Sequence, residues 1–281
     1  MPFQPPAPHV LAAQVAQALS EDIGTGDLTA LLVPSDEWAQ ARVIAREPAI
    51  LCGRPWFDET LRQLDAAISV EWAVEEGARV SADTLLCELR GPARALLTAE
   101  RTALNFLQTL SATATVTRRY ADAIADYPAK AMDTRKTLPG LRLAQKYAVR
   151  VGGGANQRVG LYDGILIKEN HIMAAGSIAA ALSAAQALAQ GVSIQVEVET
   201  LDELQQALSA GATLILLDNM DLATLREAVA LTAGRAQLEA SGNVDLDTIA
   251  AIAATGVDRI SIGGLTKHVQ AIDLSMRFSA S

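Results

Sequence analysis

Four cations stand beside short β-branched runs between residues 131 and 168 of this 281-residue chain: Arg135, Lys136, Arg158 and Lys168. All five lysines lie at or after Lys130, in a protein of net charge −9. Gathering positive charge in a net-acidic chain is costly unless an anion compensates it. Arginine pairs bidentately with carboxylate or phosphate, so these side chains point to an anionic substrate. Two carboxylates, Glu197 and Asp218, end neighbouring runs. They suit either Mg²⁺, which takes one or two carboxylates plus substrate phosphate oxygens, or the hydroxyls of a ribose. Ser241-Gly242-Asn243 and Gly263-Gly264 close the last two runs, where glycine admits a ligand to the backbone and amides can bind an anion. Gly152-Gly153-Gly154 lacks the GxxxxGK[ST] pattern and is read as a tight passage of the chain between Tyr147 and Arg158.

A scaffold must bring these residues together. From about residue 130, strand-like runs at 131–134, 164–168, 193–199, 213–218, 236–241 and 259–263 alternate with helical stretches at 177–190, 201–210, 221–232 and 245–255. Such alternation with short connections predicts a parallel sheet. The strands are short and there are about six or seven units, which favours an α/β barrel short of the full eight. In a parallel barrel the active site lies at the C-terminal ends of the strands. Here those ends are Thr134-Arg135-Lys136, Lys168-Glu169-Asn170-His171, Glu197, Asp218-Asn219, Ser241-Gly242-Asn243 and Gly263-Gly264. Upstream, helical periodicity at 9–20 and 93–111 flanks short strands at 41–52 and 68–90. We therefore expect an α/β protein: an N-terminal α+β sandwich domain over 1–115, completed by residues 269–281, and an incomplete parallel α/β barrel over 116–268 that carries the site.

Half of the residues are hydrophobic and 20% are charged, enough apolar material for a sizeable core. The acidic balance argues against nucleic acid or an anionic membrane as a partner. Cys52 and Cys87 stand far apart and His9, His171 and His268 are scattered, so no zinc-type spacing exists. Reduced thiols and a start without a basic or apolar leader segment fit a cytoplasmic protein. The alanine-rich stretch 178–188 is too short for a membrane span. Trp38, Trp56 and Trp72 are expected to fill the core of the first domain, and His171 and His268 to be structural.

The run DTRKTLPGLRLAQKYAVRVGGGANQRVGLYDGILIKENH, residues 133–171, resembles the quinolinate phosphoribosyltransferase family, the carboxylating nicotinate-nucleotide pyrophosphorylases of NAD biosynthesis. The resemblance continues through EDIGTGDLT (21–29), GPARALLTAERTALNFLQTLS (91–111), VEVE (196–199), LLDN (216–219), EASGN (239–243) and GVDRISIGGLTKHVQAIDLSMRF (256–278). It implies transfer of a phosphoribosyl group from phosphoribosyl pyrophosphate to the ring nitrogen of quinolinate. Pyrophosphate leaves with Mg²⁺ assistance and the 2-carboxylate is lost as CO₂. By resemblance Arg101, Thr134, Arg135, Lys136, Gln157, Arg158 and Lys168 hold the anionic substrates. Glu197 and Asp218 serve the ribose and a pyrophosphate-bound Mg²⁺, while Ser241, Gly242 and Asn243 with Ile262, Gly263 and Gly264 hold the 5-phosphate. Lys136, Lys168, Glu197 and Asp218 are the expected catalytic set. The family is dimeric, with the arginine matching Arg101 entering the partner's site.

One position departs from the family pattern: Gln157 stands where a histidine usually precedes the arginine. A glutamine amide can donate a neutral hydrogen bond but cannot become cationic. Three rivals are weaker. A Schiff-base aldolase would use Lys168 as nucleophile but leaves the other cations unexplained. The paralogous branch linked to molybdate-transport operons would share the phosphate loops and differ at the pyridine-carboxylate pocket. A biotinyl-type carrier, suggested by 73–97, needs an acceptor lysine there, and the first lysine is Lys130.

Overall fold

A computed structural model describes residues 3–188 and 191–280, in two compact units. The first unit comprises Met1–Arg118, Leu138–Gly153 and His268–Ser281, and the second Arg119–Thr137 and Gly154–Lys267. Residues 138–153, counted with the barrel from sequence, thus group with the first unit.

In the first unit the elements in chain order are α1 (Pro8–Ile23), β1 (Trp38–Ala45), β2 (Ala49–Ile50), α2 (Arg54–Leu64), β3 (Ser69–Trp72), β4 (Arg79–Val80), β5 (Leu85–Pro92) and α3 (Ala93–Ala123). The second unit contributes β6 (Lys130–Met132) before the chain returns to the first as α4 (Arg142–Val151). An antiparallel sheet runs β3, β5, β1 and then the C-terminal strand, whose Met276 lies opposite Val43. Alternate residues of β1 are buried, as a strand with one covered face requires. Val43 and Leu89 from the sheet pack with Phe57 and Leu61 of α2 and Leu96, Leu104 and Leu107 of α3. A second apolar cluster joins α1, α3 and α4 around Trp56 and Tyr147, whose rings lie 5.4 Å apart. Trp72 meets Phe57 edge-on, but Trp38 is 44% exposed and does not fill the core. The sequence reading did not single out α4, most of whose residues are buried in the fold. At the end of α4 a Cβ on Gly152 would lie 2.5 Å from the Ala114 carbonyl oxygen, so the triple glycine serves close chain passage there. Both cysteines are free and buried.

The second unit continues with β7 (Gly164–Ile167), α5 (Glu169–Ala175), α6 (Ile178–Leu188), β8 (Ser193–Val198), α7 (Leu201–Ser209), β9 (Leu214–Asp218), α8 (Leu222–Thr232), β10 (Gln237–Ser241), α9 (Ile249–Ala253), β11 (Arg259–Ser261) and α10 (Gly264–Lys267), and β12 (Leu274–Ala280) is the C-terminal strand of the first. Its six strands are ordered β6-β11-β10-β9-β8-β7, all parallel. One parallel bridge, Met132 to Ala155, adds a further segment beside β6. Helix starts fix where strands stop. Thr200 and Glu203 form a reciprocal capping box after β8, and the Asp221 carboxylate accepts from Thr224 N after β9. The helix expected at 245–255 begins only at Ile249, because the Asp245 carboxylate takes the Asp247 and Thr248 amides into a turn. Among the described residues no single helix is long and apolar enough to cross a membrane.

Register divides the strands into two faces. Val196, Val198, Ile215, Leu217, Leu238 and Ala240 are buried on one face, where helices pack. The alternate residues Gln195, Glu197, Leu216, Asp218, Glu239 and Ser241 share the other, since Glu197 pairs with Leu216 and Glu239 with both Leu216 and Arg259. One face of this parallel sheet is therefore polar, unlike the continuous apolar runs usual when both faces are covered.

Candidate active site

Each strand delivers its functional residue through a short, fixed turn. After β6, the Thr134 hydroxyl accepts from Lys136 N at 3.1 Å, and the Lys136 carbonyl accepts from the Thr266 hydroxyl at 2.8 Å. The Lys136 side chain lies across Gly263: a Cβ there would stand 3.1 Å from Lys136 Cδ. Glycine at 263 thus leaves room for a lysine from a different strand end. Ile262 is buried and its amide donates to the Met132 carbonyl, which ties this loop to β6.

Arg158 rests on Gly164, with Nη1 donating to the Gly164 carbonyl at 3.0 Å. Its turn is held by Asp163, whose two carboxylate oxygens accept from the Val159 and Gly160 amides. Burial and the neighbouring Arg135 guanidinium push the Arg158 pKa down, and Asp163 opposes them. The two arginines are therefore close enough to repel, an arrangement that an anion between them would relieve.

Lys168 follows β7, and its Nζ lies 2.6 Å from Glu197 Oε2. The lysine is about half exposed, so the pair contributes little to stability and leaves the lysine accessible to a ligand, while Glu197 is largely covered. His171 is structural: its Nδ1 accepts from Lys168 N. Asp218 ends β9 and pairs in register with Ser241. Asn219 donates to the Asp218 carboxylate at 2.8 Å and, through its amide, to the Ser241 carbonyl at 2.9 Å. Asn219 and Asn243 adopt left-handed backbone, and Gly242 has φ +108°. Asn219 thus joins Asp218 to the Gly242 turn.

Glu197 and Asp218 lie on one sheet face, yet no group of three or more His, Cys, Asp or Glu gathers among the described residues. Two carboxylates without a third ligand fit Mg²⁺ completed by substrate oxygens and do not form an all-protein cage.

Gln157 is bound to the polar face of the sheet. Its amide donates to Gln195 Oε1 at 3.1 Å and to Glu239. Arg101 sits on α3 of the first unit with 60% of its side chain exposed, 3.9 Å from Glu100. Sequence reasoning from strand ends did not select Gln195, Glu239 or Ser261. A period-two reading back from Glu197 and Ser241 would have found Gln195 and Glu239.

Residues 27–111 match the N-terminal domain of quinolinate phosphoribosyl transferase, and residues 113–277 match its C-terminal domain. The chain belongs to the quinolinate phosphoribosyltransferase family. A probable nicotinate-nucleotide pyrophosphorylase [carboxylating] of Bacillus subtilis is 43% identical over 262 residues, covering 93% of this chain and 91% of that protein. A mitochondrial quinolinate phosphoribosyltransferase [decarboxylating] of Nicotiana tabacum is 41% identical over 281 residues, covering 92% and 80%. The solved nicotinate-nucleotide pyrophosphorylase of Francisella tularensis superposes with a TM-score of 0.94 at 48% identity, over 97% of each chain. Both halves of the chain therefore carry the quinolinate phosphoribosyltransferase fold, an N-terminal sheet domain with a parallel six-stranded α/β unit.

Proposed function

We propose that this protein transfers a phosphoribosyl group from phosphoribosyl pyrophosphate to the nitrogen of quinolinate, releasing pyrophosphate and CO₂ and forming nicotinate mononucleotide for NAD biosynthesis. The observation that carries this reading is the match of both halves of the chain to the two quinolinate phosphoribosyl transferase domains, with Arg135 and Arg158 neighbouring one another beside the strand ends. A pyridine with two adjacent carboxylates supplies the compensating charge. Arg135 and Arg158 grip those carboxylates, with Thr134 beside them. Lys136 and Lys168 neutralise the phosphoribosyl donor and its departing pyrophosphate. The turns at Ser241–Asn243 and Ile262–Gly264 hold the 5-phosphate through backbone amides.

Positive charge develops on the ribose as pyrophosphate departs. Glu197 and Asp218, on the same face, stabilise it and orient the ribose hydroxyls. This is catalysis by position and charge, and no protein nucleophile is required. Glu197 and Asp218 would hold Mg²⁺ through water and pyrophosphate, and the ion supplies charge neutralisation on the leaving group. Once the nitrogen is alkylated, the cationic ring accepts the electron pair left at C2 when CO₂ departs. A Schiff-base aldolase built on Lys168 leaves Arg135, Lys136 and Arg158 without a role. The protein works in the cytoplasm as a homodimer, with Arg101 reaching the partner's site.

The test is incubation with quinolinate, phosphoribosyl pyrophosphate and Mg²⁺, following CO₂ and mononucleotide together. We expect equal yields of both, loss of turnover on chelation and recovery with added Mg²⁺. Failure to form mononucleotide with folded protein and metal present rejects the reading, and turnover undiminished by chelation rejects the metal.

A further inference from the structure

Glu239 is fully buried in β10, two residues before the Ser241 turn. One of its carboxylate oxygens accepts from both Gln157 Nε2 and Ser261 Oγ. The other accepts from Gln195 Nε2 at 3.1 Å and lies 3.7 Å from Arg259 Nε. One carboxylate thus collects three neutral donors and a counter-charge from three different segments, on the polar face of the sheet that also carries Glu197 and Asp218.

Gln157 is bound into this cluster. Its two amide hydrogens go to Gln195 Oε1 and Glu239, and its carbonyl oxygen accepts from Arg158 N at 3.3 Å. Its own backbone amide donates to Asp133, a fully buried carboxylate that also accepts from Asn156 Nδ2 at 2.6 Å. A substrate carboxylate could take a hydrogen from Gln157 only by stripping it from Glu239 or Gln195. That leaves a buried acceptor short of a donor, and such groups are expensive to strand.

We propose that Gln157 is a positioning residue, tied by its amide to Glu239, which fixes the backbone of Arg158 and does not itself touch the substrate. The proposal rests on the quinolinate reading above. Glu239 is the anchor, and Arg158 is the group that meets the carboxylate. The task of Gln157 is directed into the sheet, toward an acceptor that takes a neutral donor well.

An exchange of side chains tests this. Glu239→Gln sets an amide against donors that now lack an acceptor, and Gln157→Glu sets two carboxylates together. Each single change should lower kcat/KM for quinolinate about tenfold, and the double variant, which again pairs one carboxylate with one amide, should return to within about threefold of wild type. If Gln157 instead donates to the substrate, Gln157→Glu presents a negative charge to quinolinate. The double variant is then no better than the worse single variant, and the proposal is overturned.

Urea unfolding of the same four proteins reads the coupling without substrate. Recovery of the midpoint in the double variant supports the strut, and simply additive losses overturn it. A folded wild type inert toward quinolinate would defeat the functional reading while the unfolding cycle still decides whether Glu239 holds Gln157. Should Glu239→Gln not accumulate folded, Ser261→Ala removes one donor from the same carboxylate. A fall of about threefold in kcat/KM, with the melting temperature held, supports the proposal, and an unchanged value overturns it.

Discussion

Gly242→Ala is the sharpest probe of the phosphate turn. At φ +108° a residue with a Cβ is strained, at a cost of roughly 1–3 kcal/mol. The new Cβ would also fall 2.1 Å from Asn219 Oδ1 and 3.1 Å from Asn219 Cα. The Asn219 side chain must swing away, breaking its bond to Asp218, which adds about 1 kcal/mol. The total is roughly 2–4 kcal/mol, or roughly 3–7 °C in melting temperature for a protein of this size. Calorimetry reads the stability, and initial rates at saturating quinolinate read the KM for phosphoribosyl pyrophosphate, which should rise more than tenfold. Gly263→Ala is the control, because Gly263 is not among the positive-φ glycines and its Cβ meets only the flexible end of Lys136. It should stay within about 0.5 kcal/mol of wild type while turnover falls as the lysine is displaced. If Gly242→Ala melts with wild type and keeps its KM, the turn is not constrained as described and the reasoning fails.

Other outcomes follow from the same geometry. Arg158→Ala removes a charge-assisted contact of roughly 1.5–3 kcal/mol, so kcat/KM for quinolinate should fall about ten- to a hundredfold, and near-wild-type values would remove Arg158 from the site. Mixing Arg101→Ala chains with Lys136→Ala chains should recover part of the activity in hybrid dimers; no recovery after verified subunit exchange counts against a shared site. In the first unit the buried Glu76 carboxylate accepts from the Gly53 and Arg54 amides and the Tyr147 hydroxyl, and burial raises its pKa despite these donors. A raised folded pKa favours the protonated form in the fold. Its contribution to stability is present below the ordinary carboxylate range and is lost as pH rises through the raised value. Unfolding measured against pH should show that decline in wild type, and a Glu76→Gln protein should lose it.

Much of the site was legible because strand-helix alternation forces functional groups to one end of a parallel sheet. Reading 164–168, 193–199 and 213–218 as strands put Lys168, Glu197 and Asp218 at their ends, and the observed strands lie within a residue of these bounds. Strand ends alone do not reveal which face a side chain takes, so Glu239 and Gln195, one turn of the pleat below, were passed over. The bond from Gln157 to Glu239 was not legible either: nothing in a linear string says that Glu239, far along the chain, lies within its reach.

Residue types and their order by themselves determined the two-part α/β architecture, the placing of Arg135, Lys136, Arg158 and Lys168 beside strand-like runs and the family, since local periodicity and motif spacing are properties of the string. Only the tertiary structure decided that residues 138–153 return to the first unit, that Lys136 lies across Gly263 and that Gln157 is held by a buried carboxylate. Those facts depend on contacts between segments remote in sequence. Such contacts are set by the register of parallel strands, where a shift of one residue sends every side chain to the opposite face.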